Sequence, residues 1–465
     1  MLSSEVMSHI FWLSGGEPCP ACTEYRPETP YPYPNVLLQV CSRWRQIALA
    51  SPNLWSHIGL NFSTDSPARS HNLVKRAHLF VMRSKEAPLE LHISTEFGEA
   101  IEGLAGLCGS VAPRLRSLEL ETRDDLKQVF SHGQLWLAAL ISGFTPGTPT
   151  RLNWKSRGGN ATFLTVVDSV DTGHPRIRIP VVEEQLEDYL ASVTCLQLEN
   201  VYPFWTSRAY HGLVELSLDG GRNTSIQIKC LELEGIMKAS PGLQILRFGL
   251  DVVLEEEHSG YPQVELNDLK SLWLTSGSSQ RAVFNMLHLG RNPLELTIDA
   301  TKPTYSALVS SSWVDFYDFA ARSNITLLRI QCVKIAEFSH DTNFDPLQLL
   351  HHLPQLEVLV LDSLRFGQLQ PSMGHFLGRG AMRLLPAPVA HDPSPFNNRL
   401  QLLRLKNCVA VWTDLRRTLE MRLAEKVEFN GSYVLAHDSE EAEVQARLRR
   451  NGLFVELNES KPQSK

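Results

Sequence analysis

A short leucine-rich unit recurs along most of this 465-residue chain. It has the form L-x-x-L-x-L, with other apolar residues at some leucine positions. Apolar and polar residues alternate within the unit, which is typical of a short strand with one buried face. The copies are PLELHI (88–93), LRSLEL (115–120), VTCLQL (193–198), LVELSL (213–218), LQILRF (243–248), LKSLWL (269–274), PLELTI (293–298), ITLLRI (325–330), LEVLVL (356–361), LQLLRL (400–405) and AEKVEF (424–429).

Most copies follow one another at the period of leucine-rich repeats, about 20–29 residues, or at slightly longer intervals. Intervening stretches such as 230–242 and 280–293 read as helices that end at Gly or Pro. A single strand–loop–helix unit cannot bury its apolar face, but stacked units form one continuous core. The sequence therefore predicts an α/β fold with an irregular leucine-rich-repeat-like solenoid over residues 87–457. An ordinary α/β domain with leucine-rich strands is the alternative.

The predicted solenoid is irregular in two respects. The longest interval, between LRSLEL and VTCLQL, offers only RLNW (151–154) and RIRI (176–179) as candidate strands. The Asn position of the repeat is mostly absent, and only Cys408 stands where Asn or Cys is expected. Residues 143–150 and 379–398 are rich in Pro or Gly and are predicted to be loops.

The segment 35–50 predicts an amphipathic helix with an unusually wide apolar face. A surface helix needs an apolar stripe of about 100°, and this one covers about twice that. Asn35 is a candidate N-cap, and Ser51-Pro52 ends the helix and begins a turn that carries Trp55 inward. The surplus apolar surface predicts a second packing partner; complete burial in its own domain is the alternative. The arc contains Val36, Leu37, Val40, Cys41, Trp44, Ile47 and Ala48.

Two stretches together resemble an F-box, in the form common in proteins of mushroom-type fungi. VCSRWRQIALASPNLWSHIGL (40–60) resembles its second half, and LSSEVMSHIFWL (2–13) resembles its first helix. Ser3 replaces the usual proline but is a good N-cap. The first helix follows the family pattern at Leu2, Glu5, Val6, Ile10 and Phe11.

The resemblance implies a substrate-recognition subunit of an SCF-type cullin-RING ubiquitin ligase. A box at residues 1–62, with a Pro-rich loop at 14–35, would bind the S-phase-kinase-associated linker protein and through it a cullin. The solenoid would bind the target protein. A non-ligase interaction scaffold is one alternative, and a hydrolase or transferase on an irregular α/β fold is another. The resemblance places these residues at the linker-protein interface, although some must form the core of the box: Leu2, Val6, Ile10, Val40, Cys41, Trp44 and Trp55.

Two further segments complete the predicted organisation. Apolar residues at helical spacing in 63–86 predict a helix that joins the box to the solenoid. The last residues, 458–465, are predicted to be a disordered tail.

Other function classes find little support in the sequence. Scattered cysteines favour an intracellular protein, cytoplasmic or nuclear. The lone pair Cys19 and Cys22 lacks the second pair of a structural zinc site, so no metal is expected. No apolar run is long enough to span a membrane, and a net charge of −7 argues against nucleic acid as the partner. We find no nucleophile elbow, phosphate-binding loop or H-E-x-x-H motif, hence no catalytic residues and no cofactor.

One face of the predicted solenoid is a candidate target-binding surface. The residue between the last two apolar positions of each unit points out of the sheet, toward the predicted concave face. Trp and Arg dominate binding hot spots, and arginines favour acidic or phosphorylated partners. We therefore predict target binding at Arg247, Trp273, Arg329 and Arg404, with ordinary solvated surface as the alternative. The whole set is Glu119, Gln197, Ser217, Arg247, Trp273, Thr297, Arg329, Val360, Arg404 and Glu428.

Overall fold

The computed structural model divides the chain into two compact units, Met1–Ile226 and Gln227–Lys465. The sequence did not predict this division. The structure describes residues 2–14, 33–62, 67–95, 101–122, 133–157, 161–167, 175–221, 226–254, 260–275, 277–300, 310–332, 352–363, 400–407, 409–411, 424–430 and 433–435. The loop predicted at 379–398, the tail at 458–465 and most of the Pro-rich loop at 14–35 lie outside these residues.

The first unit alternates helices with strands of a parallel sheet. Six strands pair in the order β1-β2-β3-β4-β7-β9, and a separate three-stranded sheet has the order β6-β5-β8. The helices are α1 Ser4–Ser14, α2 Leu37–Val40, α3 Ser42–Ala50, α4 Pro67–Arg83, α5 Leu104–Val111, α6 Gly133–Gly143 and α7 Glu183–Ala191. The strands are β1 His57–Asn61, β2 Leu89–Thr95, β3 Leu115–Thr122, β4 Arg151–Ser156, β5 Thr162–Val166, β6 Arg176–Ile179, β7 Cys195–Glu199, β8 Val201–Tyr202 and β9 Glu215–Asp219.

The second unit contains a seven-stranded parallel sheet in the order β11-β14-β16-β17-β18-β19-β21. Separate short pairs of parallel strands are β10-β12, β13-β15 and β20-β22. The helices are α8 Cys230–Ala239, α9 Gly277–Met286 and α10 Ser310–Ala321. The strands are β10 Gln227–Lys229, β11 Ile245–Gly249, β12 Asp251–Val253, β13 Val264–Leu266, β14 Ser271–Leu274, β15 Leu287–Leu289, β16 Leu294–Ala300, β17 Ile325–Cys332, β18 Val358–Asp362, β19 Leu400–Lys406, β20 Val409–Val411, β21 Ala424–Asn430 and β22 Tyr433–Leu435.

Every copy of the recurring unit forms a strand of one of the main sheets, as its alternation predicts. In the second unit the fourth position of each copy lies in one row across neighbouring strands, and its side chains are buried. This register aligns equivalent leucines because successive strands pair in parallel without displacement at these positions. The row is Leu246, Leu272, Leu296, Leu328, Leu359, Leu403 and Val427.

Three strand assignments refine the sequence prediction. RLNW is β4 and belongs to the main sheet of the first unit, whereas RIRI is β6 and belongs to the three-stranded sheet. The strand β1, which the sequence pattern does not predict, pairs with β2 over its whole length. Residues 57–61 therefore belong to the sheet, although they fall inside the predicted box at 1–62.

The helices of each unit pack against their neighbours in chain order. In the first unit α4 packs on α5, α5 on α6 and α6 on α7. In the second, the Phe284 ring of α9 lies 5.7 Å from Phe316 and 4.9 Å from Phe319 of α10. Helix α4 lies within 63–86, where the sequence predicts a helix, and α8 and α9 confirm the helices in 230–242 and 280–293, although α9 ends at Met286.

The chain leaves several sheet strands through a residue with left-handed backbone. Asn200 (φ 62°), Ser363 (φ 57°) and Asn407 (φ 51°) each stand two residues after the last apolar residue of a unit. Asn accepts this conformation more readily than most residues. The backbone amides of Ser363 and Asn407 donate to the carbonyls of Lys406 and Asn430, at 2.8 Å in both cases. A polar residue with left-handed backbone thus stands at the same place in these three units, and the predicted Cys408 lies outside the described residues.

The wide apolar helix predicted at 35–50 is divided into two. Cys41 has extended backbone (φ −158°, ψ 169°) and separates α2 from α3. Its sulfur accepts a hydrogen bond from the amide of Trp44, so it acts as the N-cap of α3. The predicted N-cap, Asn35, instead lies in a turn before α2. The Nε of Arg45 donates to the carbonyl of Leu38 at 2.8 Å and links the two helices.

Candidate functional site

Helix α1 carries its apolar residues on two different sides. Ser3 accepts a hydrogen bond from the amide of Val6 at 3.4 Å, which supports its predicted role as N-cap. Phe11 is buried, with 2% of its surface exposed, while Val6 and Ile10 are 46% and 40% exposed. Residues four apart lie on one side of a helix. Val6 and Ile10 therefore form an exposed stripe next to the buried side of α1, and Leu2 (54% exposed) extends it.

Helix α1 packs on α3. The rings of Phe11 and Trp44 lie 4.8 Å apart between centroids, and the hydroxyls of Ser8 and Ser51 are 2.7 Å apart. Arg43 donates to the carbonyl of Leu2, which brings the start of α1 next to the start of α3.

The remaining predicted box residues differ in their exposure. Val40 and Cys41, directly before α3, are exposed, and Trp44 is half-buried. Trp55 is wholly buried: its Nε1 donates to the carbonyl of Ala48 at 2.8 Å, and its ring meets Phe80 of α4 edge-on. Trp55 is therefore one of the core residues that the prediction expected within this set, and it is not available at an interface. We call Leu2, Val6, Ile10, Val40 and Cys41 the N-terminal apolar surface.

The second unit brings the predicted target-binding residues into one row. Strand pairing places Arg247 beside Trp273, Trp273 beside Thr297, and Thr297 beside Arg329. The row lies opposite the buried leucines because side chains alternate along a strand. We call it the outward ladder, and its seven members are Arg247, Trp273, Thr297, Arg329, Val360, Arg404 and Glu428.

The ladder is less exposed and less basic than the sequence suggested. Trp273 is half-buried, and the guanidinium carbon of Arg247 lies 5.7 Å from its ring centroid. Val360 is only 2% exposed. The Nε of Arg404 donates to a carboxylate oxygen of Glu428 at 2.8 Å, so that positive charge is partly neutralised. Arg247 and Trp273 form one apolar–cationic pair, and Arg329 lies two strands from Trp273 in the same row.

The equivalent row of the first unit has different chemistry. Its members are Gly59, His92, Glu119, Asn153, Gln197 and Ser217. The amide of Asn153 lies 3.3 Å from Glu119, and Nδ1 of His92 lies 3.3 Å from the same carboxylate. The predicted outward residues Glu119, Gln197 and Ser217 are thus polar neighbours in one row, without the aromatic and arginine side chains of the ladder.

Comparisons with known proteins do not identify a family. No family model and no curated protein matches this sequence. A matched solved structure is an internalin from Listeria monocytogenes, with 13% sequence identity, coverage of 80% of this chain and 90% of the internalin, and a TM-score of 0.29. A similarity at that TM-score carries no inference, and the fold described above rests on the strand pairing of this chain. None of the helices in the described residues has the length and apolar character needed to cross a bilayer.

Proposed function

We propose that this chain is a protein-interaction scaffold that serves as a substrate-recognition subunit of an SCF-type cullin-RING ubiquitin ligase. In this proposal the N-terminal apolar surface binds the S-phase-kinase-associated linker protein, and through it a cullin. The second unit binds a protein target. The chain performs no chemistry itself; it raises the concentration of target lysines near the ubiquitin-carrying enzyme.

The exposed stripe on α1 supports the docking half of the proposal. Leu2, Val6 and Ile10 are apolar residues of the first part of the F-box pattern that the core leaves uncovered, and each is at least 40% exposed. Apolar side chains grouped on one side of a helix are typical of a partner-binding surface. Val40 and Cys41, exposed beside the start of α3, enlarge this surface.

Co-purification with the linker protein tests this half. Val6→Glu and Val40→Glu place a charge at positions that are 46% and 54% exposed, so the variants should fold and lose the linker protein. Met82→Glu, on the 75% exposed Met82 of α4, is the matched control and should retain it. A wild-type chain without affinity for the linker protein would rule out the ligase role, as would binding that is indifferent to both substitutions.

The packing of Trp55 favours a second candidate, a non-ligase scaffold in which the N-terminal helices only close one end of the sheet. Trp55 contacts Phe80, and the guanidinium of Arg83 lies 4.4 Å from the Trp55 ring centroid. These contacts join the N-terminal helices to α4, which packs on β1. On this alternative, the Val6→Glu variant keeps every partner of the wild-type chain.

The outward ladder supports the target-binding half. Its arginines and Trp273 suit an acidic or phosphorylated segment, since guanidinium groups bind carboxylate and phosphate in a bidentate manner. Cross-linking in cells tests whether the ladder binds the target. The wild-type chain is compared with a variant that has alanine at Arg247, Trp273, Arg329 and Arg404. Loss of the captured proteins supports it, and unchanged capture contradicts it. A variant with alanine at Glu119, Gln197 and Ser217 is the control.

A further inference from the structure

We propose that the first unit has a site for a divalent transition metal ion, with Zn²⁺ as the best fit, formed by His57, Glu90 and His92. One potential ligand atom of each residue lies within 4.8 Å of the others. The site is separate from both surfaces above and does not depend on the proposed function.

The sheet register explains why these side chains meet. His57 pairs with Glu90, and Gly59 pairs with His92, so all four positions face the same side of the sheet. Gly59 has no side chain, which leaves the space over its strand position to the two imidazoles. Their ring centroids are 4.4 Å apart, at an interplanar angle of 67°.

The distances are close to those of a coordination sphere. Zn²⁺ binds His nitrogen and carboxylate oxygen at about 2.0–2.2 Å in tetrahedral geometry, which puts neighbouring ligand atoms about 3.4 Å apart. Nδ1 of His57 already lies 3.3 Å from Oε2 of Glu90. The remaining separations, up to 4.8 Å, lie between side chains on two adjacent, regularly paired strands, so we expect side-chain rotation to close them.

Neighbouring groups provide the outer contacts that metal-binding histidines commonly have. Nδ1 of His92 lies 3.3 Å from Oε2 of Glu119, and the amide of Asn153 contacts the other oxygen of that carboxylate at 3.3 Å. A carboxylate in this position orients the imidazole and raises its basicity. The side chain of His92 is only 12% exposed, whereas those of His57 and Glu90 are 39% and 49% exposed. The site is thus anchored on one side and open to solvent on the other.

The donor set identifies the class of metal. Two imidazoles and one carboxylate suit Zn²⁺ and its neighbours among the divalent transition metals, not Mg²⁺ or Ca²⁺, which prefer oxygen ligands. Three protein ligands leave one position of a tetrahedron for water or for a group from a bound molecule.

Metal titration of the full-length, metal-stripped chain tests the site. We expect one Zn²⁺ to bind and Co²⁺ to give the visible absorption of a tetrahedral complex. His92→Ala and His57→Ala should each weaken binding by more than about 100-fold, since loss of outer contacts alone costs about 10–100-fold. His71→Ala is the matched control, because His71 lies 4.0 Å from Glu102 in another His–Glu pair and is not one of the three proposed ligands. The Zn²⁺ affinity of this variant should equal that of the wild type.

Cys19 and Cys22 could also bind zinc, so a Cys19→Ser/Cys22→Ser variant completes the design. It should keep the affinity, and Co²⁺ should show no thiolate charge-transfer band. Unchanged circular dichroism of the histidine variants separates loss of ligands from loss of folding. Absence of binding to the wild type, binding that survives the two histidine substitutions, or binding that disappears with the two cysteines would each overturn the proposal.

Discussion

The ring of Phe11 in α1 packs on the ring of Trp44 in α3, with 4.8 Å between their centroids and 55° between their planes. This contact fixes the rotation of α1. Phe11 becomes the buried residue of the helix, while Ile10 beside it stays 40% exposed. The free apolar stripe is therefore a consequence of which aromatic residue meets Trp44.

Substitution of Trp44 should lower the stability of the first unit. Loss of a buried aromatic side chain lowers the free energy of unfolding by about 3–5 kcal/mol. Because Trp44 is half-buried, we expect Trp44→Ala to lower it by about 3 kcal/mol. Val6→Glu, on the exposed stripe, should change the free energy of unfolding by less than about 0.5 kcal/mol. Urea denaturation followed by circular dichroism measures both. A stable Trp44→Ala variant would show that the Phe11 contact does not hold the two helices together.

Asn200 should be a stabilising residue of the first unit. It has φ 62°, it is 4% exposed, and its side-chain amide donates to the carbonyl of Ser156 at 2.9 Å. Asn200→Ala should lower the free energy of unfolding by about 2–3 kcal/mol. Alanine at this position has left-handed backbone strain of about 1–2 kcal/mol, and the substitution also removes a buried hydrogen bond. Asn200→Gly keeps the backbone freedom and loses only the hydrogen bond. Thermal unfolding should therefore rank the melting temperatures as wild type, Gly variant and Ala variant, from highest to lowest.

Asp362 should make the stability of the second unit depend on pH. Burial raises the pKa of its carboxyl, but hydrogen bonds from Lys406, Ser363 and Asn407 lower it more, so the net pKa is below its ordinary value. A carboxyl with a lowered folded-state pKa stabilises the protein above its unfolded-state pKa of about 3.9, and this stabilisation disappears as the pH falls through the lower folded-state pKa.

Asp362→Asn should therefore be less stable than the wild type at pH 7, with a difference that shrinks below about pH 4. Denaturation curves at several pH values measure the difference. Glu357→Gln, at an exposed position before the same strand, is the control and should change stability little. A difference that stays constant with pH would show that the lost hydrogen bonds, not the charge, explain the effect.

Glu428 should limit the affinity of the outward ladder for anions. One of its carboxylate oxygens accepts from Arg404 at 2.8 Å, and the other lies 2.5 Å from Nζ of Lys426. Glu428→Gln releases both cations from a full ion pair, so an acidic phosphopeptide should bind several-fold more tightly, with a steeper dependence on salt. Glu425→Gln makes the same change in net charge at an exposed position of β21. Equal affinities of the two variants in fluorescence titration would argue against anion binding at the ladder.

The amino-acid sequence by itself determined most strands of the main sheets and which side of each strand is buried. Leucines two residues apart bury one side of a strand wherever it lies, so the copies of the unit could be identified without the fold. The same local pattern identified α4, α8 and α9, the turn that buries Trp55, and the outward direction of Arg247, Trp273, Arg329 and Arg404. These features depend on residues that are close in the chain.

Only the tertiary structure decided which of these residues meet. The pairing of His57 with Glu90, the partner of Arg404, the break at Cys41 and the burial of Trp55 against Phe80 all depend on strand register and helix packing. The register of a strand depends on where the segment that connects it to the preceding strand ends, and these connecting segments differ in length along this chain. Short-range periodicity contains no information about that alignment, so neither the histidine cluster nor the strand β1 could be inferred from it.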